Sequence, residues 1–102
     1  VQVRGVDRGG IRCVKVDFDI PPQPHGRHLT EIRRMVAAAA GIPAAVRERA
    51  DRVFTLIAEQ EAEIHGTTPD RVHLHEVGAV DAILDVVGGV WGLHLLGVAR
   101  VH

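Results

Sequence analysis

The stretch between Pro43 and Gly66 limits the fold of this chain more than any other. Apolar side chains at Val46, Ala50, Val53, Phe54, Ile57 and Ala58 recur at three- and four-residue spacing, the period of one helical face. Pro43 sits where a first helical turn tolerates a missing amide hydrogen, and Gly66 is a helix stop. The spacing therefore predicts a long helix ending at about His65, with one side laid against a core. Continued by the same spacing, the stripe lands on Glu61, Ile64 and His65. Glu61 and His65 are one turn apart, so they can hydrogen-bond each other or jointly hold a cation. The plainer reading is a fraying helix end, where such a pair adds a few tenths of a kcal/mol.

The other elements fall on either side of this helix. Val1 to Val6 and Ile11 to Ile20 read as a hairpin around Asp7-Arg8-Gly9-Gly10. In its second strand Val14, Val16, Phe18 and Ile20 share one face, and Lys15, Asp17 and Asp19 share the other. The run Pro21-Pro22-Gln23-Pro24-His25-Gly26 breaks regular structure and makes a stiff connection. His25 and His28 flank it and read as solvated loop histidines, a functional role being the lesser reading. A first helix is expected from about Leu29 to Ala40, stopped by Gly41. Another starts near Val80 or Asp81, where Gly88, Gly89 and Gly92 permit close packing. Val98 to His102 would suit a last strand. The order β-β-α-α-β-α-β suggests an α/β layered domain with a small mixed sheet, a right-handed crossover and three helices. An α+β arrangement is the alternative.

Composition bounds the class. A chain of 102 residues is one small domain. It opens on Val1 and is expected to be a piece of a longer protein. Formal net charge is -1, and eleven of the twelve basic residues are Arg, scattered among Asp and Glu. That pattern reads as a solvated surface and excludes a nucleic-acid or membrane-surface track. Cys13 is the single cysteine, so no disulfide framework exists; this fits a reducing, cytoplasmic setting. Ala82 to Val98 is nearly all apolar, but it is short for a membrane span and carries Asp85 and His94. A buried core helix is the expectation.

The chemistry-bearing segment is His73-Leu74-His75-Glu76-Val77-Gly78-Ala79-Val80-Asp81, followed by Asp85. In a strand His73 and His75 point one way while Val72 and Leu74 point the other. Two adjacent imidazoles are nitrogen donors for zinc, nickel or copper. The same alternation equally suits a half-buried edge strand without a ligand. Asp81 reads by default as a helix cap and Asp85 as a complement to the helix dipole. Their one-turn spacing also stacks both carboxylates on one side, where they could bind a metal or a cationic ring.

These residues carry a resemblance. The run from Val72 through HLHEVGAVDAILDVV to Gly88, with His65-Gly66, Arg27-His28-Leu29-Thr30-Glu31-Ile32 and the helix ending Ala58 to Gly66, is similar to the LarC family of nickel-insertion proteins. The match spans roughly Val14 to Val101. It implies nickel insertion into pyridinium-3,5-bisthiocarboxylic acid mononucleotide, a lyase activity that makes the nickel-pincer cofactor of lactate racemase and requires CTP. The family's acidic, glycine-rich opening motif and its CTP-binding region are missing from this sequence, and the histidine tract found in many relatives is reduced to His25 and His28. On this reading His73 and His75 are the first metal ligands, completed by Glu76, Asp81 or His65. Glu61 or Asp85 would serve as the base for C–H activation. Glu76 is the weakest ligand geometrically, because strand alternation turns it away from both histidines. The expected partner is the cofactor precursor, in a cytoplasmic protein that could assemble as a homo-oligomer. Two other classes compete: a noncatalytic scaffold whose polar cluster organises a core, and a metal-dependent hydrolase whose His and Asp residues activate water.

Overall fold

The computed structural model describes residues 1–101. Strands β1 (Gln2–Arg8) and β2 (Ile11–Asp17) form an antiparallel hairpin in the register Gln2↔Asp17 to Arg8↔Ile11. Its two-residue turn is Gly9-Gly10, with φ of 59° and 81°, the left-handed backbone that a tight hairpin loop demands. Asp7 Oδ1 accepts the Gly10 amide at 2.9 Å and closes it. Three helices follow: α1 (Leu29–Ala38), α2 (Ala44–His65) and α3 (Val80–Leu95). The fold is a mixed α/β arrangement with three helices.

Helix α2 is the centre, packing against both α1 and α3. Val46, Ala50, Phe54, Ala58 and Ala62 are all buried, an unbroken row at four-residue spacing. Alanines on that row let the neighbouring helices approach closely, and Phe54 fills the centre with Leu29 and Ile32. The row thus runs on to Ala62. The extension to Ile64 and His65 is corrected: Ile64 is 77% exposed and His65 is exposed, while Glu61 sits half-buried at the margin. Arg47 of α2 donates to the carbonyls of Ala37 and Ala39, satisfying the open C-terminal end of α1. Arg33 of α1 pairs with Asp51 of α2 and also reaches Thr55.

The sheet differs from the expected mixed one. It is two-stranded and antiparallel, with no parallel crossover among the described residues. The expected third strand, the one bearing His73 and His75, shrinks to one antiparallel bridge, Arg27↔Leu74. It cannot lengthen, because Leu29 already begins α1 on one side and the Pro21–Pro24 run, poor in amide donors, lies on the other. Val98 to Val101 form no strand, and His102 lies outside the described residues. No helix is long and apolar enough to cross a membrane among the described residues.

Candidate functional site

Two short segments are clamped together to build the site. Arg27 and Leu74 each donate an amide hydrogen to the other's carbonyl at 2.9 Å. Arg27 is 7% exposed, and its guanidinium donates to the Gly78 carbonyl and the Gln23 side-chain oxygen. Carbonyl dipoles thereby hold a buried cation that would otherwise be costly. Two glycines permit the close approach. A Cβ on Gly26, whose φ is 80°, would stand 2.5 Å from His73 Cε1 and 2.6 Å from His73 Nδ1. One on Gly78 would collide with the Leu74 carbonyl oxygen and the Arg27 amide nitrogen.

The bridge preserves the side-chain alternation that a full strand would give. Val72 and Leu74 go into the core, while half-buried His73 and exposed His75 turn away from it. The rings of His73 and His75 stand 4.7 Å apart between centroids, tilted by 58°. His73 also meets His28, edge-on at 5.0 Å and 85°, so its ring touches both of the others. His28 Nδ1 is 3.0 Å from the Val72 carbonyl oxygen. A carbonyl only accepts, so Nδ1 carries the hydrogen and, in the neutral ring, Nε2 keeps its lone pair. His73 Nδ1 is buried with no hydrogen-bond partner among the described residues.

His28 is positioned by α1, where it is the N-cap residue. Its backbone amide donates to Glu31 Oε2 at 2.9 Å, half of a capping box. That hydrogen bond, aided by the charges of His28, Arg34 and Arg27, holds the Glu31 carboxyl below its ordinary range.

Past His75 opens a cavity of about 330 Å³ lined by Glu61, Leu74, His75, Glu76 and Val77. Glu61 enters from α2, and its Oε2 lies 3.4 Å from His65 Nε2. Of the residues singled out from sequence, Glu61, His75 and Glu76 thus share one cavity. His73 adjoins it through the ring of His75, and His65 through Glu61. Asp81 and Asp85 lie on the exposed side of α3 and do not line this cavity. The capping role expected of Asp81 is corrected: Ala79 is the N-cap of α3, and Asp81 sits in the first turn with its Oδ1 accepting the Ala82 amide at 2.9 Å. No three His, Cys, Asp or Glu side chains among the described residues surround a common point as a ready metal shell.

Two residues of the site have no functional signal in the sequence: His28 reads as a loop histidine, and Arg27 enters only as part of a motif. The local signal was the Glu31 carboxylate three residues after His28, which marks a helix start. The contacts of both residues with 72–78 had no local signal.

Comparison with known proteins agrees along the whole length. The family model described as nickel insertion protein matches residues 1–102. A pyridinium-3,5-bisthiocarboxylic acid mononucleotide nickel insertion protein from Thermotoga sp. (strain RQ2) is 37% identical over 114 residues, covering 97% of this chain and 28% of its own length. One of the same name from Staphylococcus epidermidis is 37% identical over 93 residues, covering 91% of this chain and 23% of its own. A protein of Roseiflexus castenholzii, also named for nickel insertion, is 50% identical over 82 residues, 80% of this chain and 21% of its own. The chain thus spans roughly a fifth to just over a quarter of the length of these relatives. No solved structure matches it. With HLHEVGAVD clamped against Arg27-His28 and the family match running from end to end, the chain belongs to the nickel insertion protein family.

Proposed function

We propose that this chain holds Ni²⁺ at His73 and His75 and, as part of a longer protein, delivers it to pyridinium-3,5-bisthiocarboxylic acid mononucleotide. The observation that carries this reading is the 4.7 Å pairing of the two rings at the mouth of the Glu61–Glu76 cavity. With metal–nitrogen bonds of about 2.0–2.1 Å, two imidazoles on one first-row ion put their ring centres roughly 4.5–5 Å apart. The donor set suits the cargo, since imidazole with carboxylate at its margin accepts nickel. An incomplete shell also favours release. The acceptor named for the relatives presents thiocarboxylate groups, and softer sulfur donors would draw the ion off nitrogen and oxygen.

Forming a nickel–carbon bond replaces a C–H bond, so the departing proton needs an acceptor. Glu61 is the better placed, half-buried in the cavity wall; Asp85 is the second choice, on the exposed side of α3. Glu76 would complete the ion's shell from the cavity side, with His65 next to Glu61, whereas Asp81 on the exposed side of α3 is not placed to join it. The finer reading, a lyase that uses CTP, makes the cofactor of lactate racemase in the cytoplasm and works as a homo-oligomer, belongs to the longer protein.

Titration of the chain with nickel chloride, followed calorimetrically, tests the ligand assignment. The double variant His73→Ala/His75→Ala is expected to weaken binding at least about tenfold while keeping its helical circular dichroism. Parent-like nickel affinity in the folded double variant would refute it. Loss of cooperative unfolding with no metal effect in either protein would instead favour a scaffold.

A further inference from the structure

Alternation and register put Val1, Val3 and Gly5 of β1 on the same side of the hairpin as Val14, Val16 and Phe18. The apolar side chains of this face are 44% to 79% exposed. The opposite face is the better covered one, with Val6, Cys13, Lys15 and Asp17 half-buried. Among the described residues, helices pack on helices and strand on strand, with the Pro21–Pro24 run between the two groups. The radius of gyration is accordingly 15.5 Å, against about 13 Å for a compact domain of this size. From this arrangement we infer that the hairpin is a docking element, its valine face covered by an apolar layer from the rest of the same polypeptide. The inference does not rest on the nickel reading.

Three observations carry it. First, a two-stranded hairpin is marginal in water by itself and becomes stable when its apolar face packs on another element. The helical core does not supply that element. The relatives have ample chain to do so, since this chain covers 21% to 28% of their length. A covering segment in the same polypeptide meets the face at an effective concentration of about millimolar, well above that of a second copy at micromolar levels.

Second, Gly5 lies in the middle of the face, opposite Val14. Its backbone is not left-handed, so the local conformation does not call for glycine. A Cβ there would meet nothing within 4 Å. Glycine inside a strand instead leaves a notch where a covering side chain or backbone can approach closely. Third, the charged residues on this side, Asp7 and Arg12, are opposite each other beside the turn. The remainder of the face carries no charge, so the surface that meets it is apolar rather than ionic.

Hydrogen exchange of the purified longer protein, read residue by residue by mass spectrometry, tests the docking. The probes are the amides of Arg4, Val6, Cys13 and Lys15, which the register and the two-residue Gly9-Gly10 loop place inside the hairpin as paired donors. In a covered hairpin they should exchange at least about a hundredfold slower than free amides, whereas a bare hairpin opens readily and stays within about tenfold of them. The occupant is identified with a benzophenone amino acid placed at Val14, irradiated in a mixture of ¹⁴N- and ¹⁵N-labelled protein. The expected crosslink joins position 14 to a segment outside residues 1–102 of the same molecule, with no mixed-isotope product. Fast exchange in the parent would overturn the inference. So would crosslinks that join two isotopes, which assign the face to a second copy, crosslinks to α1, α2 or α3, or no crosslink at all. Nickel titration of the same protein is unaffected by any of these outcomes, so the two readings stand or fall separately.

Discussion

Gly26 and Arg27 decide the site although neither bears its chemistry. Arg27 uses its backbone to pair Leu74 and its guanidinium to hold the Gly78 and Gln23 oxygens, so one buried residue fixes both sides of the histidine segment. Gly26 lies against the His73 ring with left-handed backbone, leaving no space for a side chain. Gly26→Ala is accordingly expected to strain the backbone and displace the imidazole at once. A loss of about 1–3 kcal/mol in urea unfolding, with weaker nickel binding by calorimetry, is the expected outcome. A Gly26→Ala protein as stable as the parent would show that the close approach does not exist in solution.

At the scale of elements, the helices and the hairpin are stabilised by different means. The helices pack a shared apolar row, and Phe54, 1% exposed, lies at its middle. Phe54→Ala should lower unfolding free energy by about 3–5 kcal/mol, measured by chemical denaturation. The hairpin depends on cross-strand pairs and its turn. Asp17 accepts from Lys15 and Arg4 at 2.7 and 3.1 Å, and the Lys15 hydrogen bond leads in holding its carboxyl below the ordinary range. A depressed carboxyl contributes stability above its unfolded value and loses it as pH falls through the folded one. The pairing Val3↔Val16, followed by Cα chemical shifts, should therefore fray on acidification below the usual carboxylate range. Asp17→Asn should lose this acid response over the same window.

The whole molecule divides its apolar surface unevenly. Helices α1 and α2 bury one apolar face, together with Val72 and Leu74, while α3 buries Ile83 and Val87 and leaves Leu93 and Leu95 exposed. The hairpin face formed by Val1, Val3, Val14, Val16 and Phe18 stays exposed, from 44% at Phe18 to 79% at Val1. Val14→Thr should shift the denaturation midpoint of the helical core by no more than about 0.5 kcal/mol, in contrast to Phe54→Ala. A large effect at Val14 would mean that the hairpin is part of the core.

Local order was legible in the sequence because it depends on neighbours within a turn or two. The 3.6-residue pattern and Gly66 located α2, the Gly9-Gly10 pair placed the hairpin, and alternation through Val72-His73-Leu74-His75 put both imidazoles on one side. The same local rule overextended itself. It makes a strand of the segment bearing His73 and His75, whereas strand length depends on a partner, and the partner segment is cut short between prolines and α1. It also carried the apolar stripe of α2 to Ile64, beyond the point where α1 and α3 cover it. The meeting of His28 with His73, and of Arg27 with Leu74 and Gly78, belongs to tertiary structure alone. Two helices must pack before those segments can close on each other, and no window of sequence records a contact made only through that packing.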